Sequence, residues 1–213
     1  MLTDAHTHHP SPHAHIRVLS LPQLLSTASP SPWVAAGVHP WEVGAAGDQE
    51  RAALERWVRD PACVAIGETG LDRLRGGDWE IQLAWFRWQW ELAEAHDKPL
   101  VLHCVRAAAD VLAMIKHHPP RTAWLWHAYA GGEEQTRQIL ALHPDSYFSL
   151  GPREFGRKGL RVWERLPRDR RLLETDDSIT PLEDVYRQAG VEVADYASLA
   201  QSFTRLFRVG GPS

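Results

Sequence analysis

Short runs of apolar, β-branched-rich sequence recur along the chain, with amphipathic stretches between most of them. The runs are LTDAHTH (2–8), IRVLSL (16–21), WVAAGVH (33–39), CVAIGET (63–69), PLVLHCV (99–105), TAWLWHA (122–128), SYFSLG (146–151) and RRLLETD (170–176). Runs without strict polar alternation, separated by helical patterns, predict parallel strands joined by crossovers. Eight of them predict a closed α/β architecture, the (β/α)8 TIM-like barrel.

Helical periodicity fits 46–59, 79–97, 106–117, 132–142 and 195–208, with shorter pieces near 22–28, 159–166 and 181–189. The longest has Asp78 as its cap, and Ile81, Ala84, Trp85, Trp88 and Leu92 recur at helical spacing, which predicts that helix's core face. Trp90 lies off that stripe, which leaves exposure, helix packing and a dimer contact all open to it. Between the first two runs stands only HPSPHAH, too short and too proline-rich for a helix. The expected fold is therefore a barrel trimmed by loss of the first crossover helix. No compositional shift divides the chain, so residues 1–213 are expected to form a single domain, with the tail RVGGPS frayed.

Composition narrows the function classes. With 44% hydrophobic and 23% charged residues the chain has the balance of a globular protein. Its net charge of −4 gives no broad basic field for phosphate-dominated binding, so a nucleic acid would be held locally. Cys63 and Cys104 lie in apolar runs, where buried thiols of a reducing compartment are expected and no disulfide. No run approaches the roughly 18 apolar residues of a membrane span, and the start MLTDAHTH has no leader pattern, so a cytoplasmic location is expected.

The chain holds 12 histidines, and their positions matter more than their number. A His, Glu or Asp stands at or near the end of six of the eight runs, and in a barrel those ends converge on the face that carries active sites. His6 and His8, one residue apart on an extended strand, point to the same side and can chelate. Asp4 sits one step lower in the same row, where it can orient a ligand. An isolated His-x-His is more often a chance pair, but Glu68, His103, His127 and Asp176 each end an apolar run in the same way. A carboxylate such as Glu68 after an apolar strand needs a compensating cation or ion pair. Imidazoles with two carboxylates suit zinc, manganese or a similar ion better than the all-oxygen cages of calcium.

These residues fall within Asp-Ala-His-Thr-His (4–8), Gly-Val-His-Pro (37–40), Gly-Glu-Thr-Gly-Leu-Asp (67–72), Pro-Leu-Val-Leu-His (99–103), His-Ala-Tyr-Ala-Gly (127–131) and Leu-Glu-Thr-Asp (173–176). In this order the motifs resemble the TatD family of metal-dependent hydrolases, TatD-like DNases on an amidohydrolase-like barrel, and they span nearly the whole chain. The resemblance implies two divalent ions (Zn, Mn or Mg): His6, His8 and Asp176 on one, His103 and His127 on the other, and Glu68 bridging them. It implies hydrolysis of phosphodiesters, such as a small phosphoester or single-stranded DNA ends, with Glu68 and Asp176 catalytic and Asp176 the general base toward the attacking water. His39 matches the family's Gly-x-His-Pro and is expected to touch substrate; a packed histidine is the alternative. Arg106 is the candidate phosphate-binding arginine, against a solvated residue opening a helix.

The chain also departs from the family pattern. It is short, its arginine follows the fifth-strand histidine by three residues instead of two, and Asp177-Ser178 replaces the usual proline two positions after Glu-Thr-Asp. His9, His13 and His15 read as a proline-broken solvated loop, and Arg153, Arg157, Lys158 and Arg161 as a small phosphate-facing patch or a solvated helix face. Two other readings are hydrolysis of an amide or lactone on the same barrel, and a non-catalytic subunit of a larger complex. The oligomeric state is left open. Glu68 in place of a carbamylated lysine weighs against the first reading, and retention of all six ligands against the second.

Overall fold

The computed structural model describes residues 1–26 and 28–209. Its eight strands are β1 (Thr3–Thr7), β2 (Ala14–Val18), β3 (Val34–Ala36), β4 (Cys63–Asp72), β5 (Leu100–Val105), β6 (Trp124–Trp126), β7 (Ser146–Leu150) and β8 (Arg171–Leu173). They form one parallel sheet in sequence order. The barrel closes past the end of β8, where the Asp176 amide donates to the His6 carbonyl and the His8 amide to the Asp176 carbonyl, both at 2.9 Å. This bridge brings the barrel nearly closed and places Asp176 beside His6 and His8.

The helices are α1 (Leu21–Leu24), α2 (Asp48–Trp57), α3 (Trp79–Ala95), α4 (Ala108–His117), α5 (Glu133–Leu142), α6 (Arg157–Arg165), α7 (Leu182–Gln188) and α8 (Tyr196–Phe207). None stands between β1 and β2, where the proline pair of 9–15 forbids one. Strand β2 begins two residues earlier than its apolar run suggests, and α1 is a single turn. Of the tail expected to fray, Val209 is instead buried in the barrel cluster and Arg208 pairs with Asp97, while residues 210–213 lie outside the described residues. Among the described residues no helix is long and apolar enough to cross a membrane.

The barrel interior is filled by Ala5, Ile16, Val18, Ala35, Ala65, Val101, Leu125, Tyr147 and Leu172, packed against Phe203, Leu206 and Phe207 of α8. Trp33, Val64 and Ala123, each within one residue of the start of its strand, join the same cluster, so α8 covers the N-terminal end of the barrel. The opposite end is left to polar chemistry.

Asp78 caps α3 as expected, accepting from the Glu80 and Ile81 amides. The buried face of α3 differs from the expected stripe: Gln82, Trp85, Phe86, Gln89, Trp90 and Ala93 are buried, whereas Ile81 and Ala84 are exposed. Counting only apolar positions rotates the face, because two glutamines on it are buried to serve backbone groups. Trp90 proves to be packed, its ring 4.8 Å from that of Trp124 and its indole N–H donating to Glu94 at 2.8 Å.

The C-cap of α5, His143, is buried with its ring edge-on to Trp124 and Nδ1 3.0 Å from the Ser146 hydroxyl. Burial pushes its pKa from 6.5 down to about 4. The unfolded chain therefore binds the proton more readily, so the neutral ring contributes stability that is complete above the unfolded pKa and lost as pH falls toward the folded one. Between about pH 7 and pH 4.5 the native protein should lose about 2.5 kcal/mol that a His143→Gln variant does not, measured by denaturant unfolding at the two pH values.

Candidate metal centre

Two irregularities in the sheet aim the site. The β1–β2 register slips between Asp4 and Thr7, and the β4–β5 register slips between Ile66 and Thr69. Such bulges turn a side chain out of strict alternation. The first lets His6 and His8 face the mouth while Asp4 leaves their row. Asp4 instead accepts from the Thr175 amide (3.0 Å) and hydroxyl (2.7 Å), tying the turn that carries Asp176 to β1. Its ordering role thus runs through backbone and not through an imidazole. Burial raises the Asp4 carboxyl to about 7, with the Thr175 bonds opposing.

The second bulge presents Glu68. Gly37 and Gly70 allow the close approach this needs: a Cβ on Gly37 would lie 2.6 Å from the Gly67 carbonyl carbon, and one on Gly70 would collide with the His103 carbonyl oxygen. Gln89 of α3 holds the bulge from behind, accepting from the Val38 amide (2.7 Å) and donating to the Thr69 hydroxyl (2.6 Å). Gln82 does the same for Asp72 at the end of β4.

All six expected ligands converge on the C-terminal face. His6 Nε2 lies 3.3 Å from Glu68 Oε2 and 3.5 Å from Asp176 Oδ1, and His8 Nε2 lies 3.7 and 3.5 Å from the same atoms. The other Glu68 oxygen, Oε1, faces His103 Nδ1 at 2.7 Å, His127 Nε2 at 2.8 Å and His39 Nε2 at 3.0 Å. Glu68 therefore stands between two sets of nitrogens. Asp176 is held in the left-handed region at φ 55°, a conformation that costs about 1–3 kcal/mol for a residue with a Cβ and persists where the surroundings impose it.

The donors fit a cation. His6, His8 and Glu68 form one group, His6, His127 and Asp176 another, and His39, Glu68 and His103 a third, with donor atoms within 4.8 Å of one another in each. His6 is fully buried, yet neither ring nitrogen has a hydrogen-bond partner among the described residues. A buried imidazole that faces two carboxylates without bonding either has the disposition of a ligand. Electrostatics agree in direction. Burial opposes the Glu68 charge, but His127, His103 and His39 outweigh it and hold the carboxyl well below its usual range. Asp176 is likewise held low against burial, chiefly by His6. His39 is pushed down by burial and stays neutral.

His39 was expected to touch substrate, and its Nε2 lies in the donor shell itself, 3.2 Å from His103 Nδ1. Arg106 is exposed at the exit of β5 and has no ion pair or hydrogen bond among the described residues. His9, His13 and His15 stay apart from the centre: His9 meets the Asp177 carbonyl, His13 pairs with Glu183, and His15 with Ser31.

Three positioning residues were not singled out from sequence. Asp72 accepts from four N–H groups: Leu74 and Arg75 amides at 2.8 and 2.9 Å, the Trp41 indole at 2.7 Å and His103 Nε2 at 3.1 Å. It thereby fixes the His103 tautomer that leaves Nδ1 free toward Glu68. Buried Glu174 stands on the opposite side, 3.4 Å from His127 Nδ1 and bonded to the Ala128 amide and the Ser149 hydroxyl. Trp41, 44% exposed, rests against His39 and His103. Both carboxylates lie in the motifs, and their partners are visible only in the fold. In Asp72→Asn an NH2 group must oppose one of these pairs of donors. Metal affinity should fall about 10–100-fold with the fold retained, read by metal titration of chelated protein.

The family model described as TatD related DNase matches residues 11–205. A 3'-5' ssDNA/RNA exonuclease TatD from Erwinia billingiae is 34% identical over 169 residues, 72% of this chain and 61% of that protein. An uncharacterized metal-dependent hydrolase TatD from Mycobacterium tuberculosis is 33% identical over 114 residues, 51% of this chain and 43% of that protein. The matches to the enterobacterial exonucleases span about 60% of those proteins' length. The crystal structure of YjjV, a TatD homolog from Escherichia coli K12, superposes with a TM-score of 0.82 at 24% identity, covering 98% of each chain, and shares the fold. With the family model matching nearly the whole chain and the motif residues gathered at one barrel mouth, this protein belongs to the TatD-related DNase family.

Proposed function

We propose that the chain is a divalent-metal-dependent phosphodiesterase that removes nucleotides from the ends of single-stranded nucleic acid. His6, His8 and Asp176 would hold one cation, His103 and His127 a second, and Glu68 both. The observation that carries this reading is the division of the Glu68 carboxylate, with Oε2 toward His6 and His8 and Oε1 toward His103 and His127. Bound there, two divalent cations would supply Lewis acidity toward a phosphoryl oxygen and make water a stronger acid.

The remaining work falls to the chain. Asp176, ionised and partly exposed at the mouth, accepts the proton of the attacking water. Neutral His39, at the edge of the second donor set, offers an N–H to a phosphoryl oxygen as its charge develops. Arg106, free at the exit of β5, is placed to pair with a further phosphate oxygen. Asp72 keeps His103 in the tautomer that faces Glu68, and Glu174 places a negative charge 3.4 Å from His127 Nδ1.

Relatives named as 3'-5' ssDNA/RNA exonucleases support the choice of substrate and polarity. The test compares a 5'-labelled single-stranded oligonucleotide, its duplex, a chromogenic phosphodiester and a lactone, each with manganese or magnesium. Stepwise shortening from the 3' end is the expected result. Turnover of the lactone with no phosphodiester cleavage would replace this reading with the amidohydrolase one.

A further inference from the structure

Outside the centre, the strongest concentration of unpaired charge on this acidic chain lies on α6, Arg157–Arg165, which bears four cations and one acid. Where α6 meets the start of α5 the surface forms a cleft of about 480 Å³, lined by Gly132, Glu133, Arg157, Lys158, Arg161 and Arg165. Only Arg165 is neutralised there, by Glu133. Lys158 Nζ donates to the Ala130 carbonyl at 3.3 Å, and neither Arg157 nor Arg161 has an acidic partner among the described residues. The first amides of α5 point to the same place with no side-chain cap from Gly132.

The position is as informative as the charge. Gly132 follows His127 by five residues and so lies within about 18 Å of it even if the link were fully extended. Arg153, four residues before Arg157, pairs with Asp177 at 2.7 Å and lies 3.8 Å from Asp176. Arg153 therefore stands at the lip of the centre, four residues along the chain from the first cation of the cleft.

Resting on the phosphodiesterase reading, we propose that this α5–α6 cleft binds the phosphate backbone of the single strand a few nucleotides away from the scissile bond. Arg157 and Arg161 make the contacts, and Arg153 bridges cleft and centre. Because these side chains are exposed, removing them spares the fold, and because they lie off the centre, it spares the chemistry on a minimal substrate.

The test measures anisotropy of a labelled oligothymidylate with phosphorothioate linkages, bound to the full, metal-loaded chain over a range of salt. The variants are the double Arg157→Ala/Arg161→Ala and, as a control at the far end of the barrel, Arg205→Ala. Loss of two contacts on a single strand should reduce the slope of log K against log salt by about 1.4 and weaken binding roughly tenfold at moderate salt. KM for the long oligonucleotide should rise while turnover of a chromogenic phosphodiester stays unchanged. An unchanged slope in the double variant, an equal loss in Arg205→Ala, or no binding by the native chain would overturn the cleft. A reduced slope in a protein that cleaves no phosphodiester would uphold the cleft and remove the phosphodiesterase reading instead.

Discussion

Glu68→Ala is expected to yield a folded protein that hydrolyses its substrate roughly 10³-fold more slowly, the scale of deleting one group that stabilises charge in a transition state. Glu68 is the one side chain that faces all five imidazoles of the centre. Without it His6 and His8 lose their link to His103 and His127, and metal occupancy should fall with the rate. The fold should persist because the residue sits at the mouth, above the apolar filling of the barrel. The measurement is single-strand hydrolysis at saturating manganese, with metal content and thermal melting on the same preparations. Full turnover in a folded variant would contradict the shared-ligand assignment.

The second large effect is expected from Asp176→Asn. At φ 55° an alanine would be strained, whereas asparagine tolerates the left-handed region, so the amide tests chemistry with the backbone kept. The proton acceptor is lost and one ligand weakened. The rate should fall about 10²–10⁴-fold, the range of general-base catalysis, mainly in kcat. His6 and the other imidazoles hold the Asp176 carboxyl below its ordinary value, so it is ionised throughout the neutral range. An acid limb in the pH–rate profile therefore belongs to other groups. A KM effect with unchanged kcat would instead assign Asp176 to binding.

The strand ends were legible because an apolar run that stops on His, Glu or Asp states both where a strand ends and that something polar waits there. Glu68, His103 and His127 follow that rule directly. The missing crossover was legible in Pro10 and Pro12. What escaped is what the register slips hide. Asp4 shares a period of two with His6 and His8 in sequence, but the bulge after it sends its carboxylate to Thr175. Gln82 and Gln89 read as the polar side of α3, and they are buried because β4 leaves backbone groups that need partners. Asp72 and Glu174 stood in recognised motifs without roles. Which imidazole each carboxylate would orient depends on strand neighbours far apart in sequence.

The positions of the cations test the shared-ligand assignment of Glu68 most directly. Anomalous diffraction from crystals soaked in manganese should show two peaks, one against His6, His8 and Asp176 and one against His103 and His127, each contacted by a different oxygen of Glu68. A manganese peak elsewhere on the surface with none at Glu68, in a crystal of active protein, would contradict it.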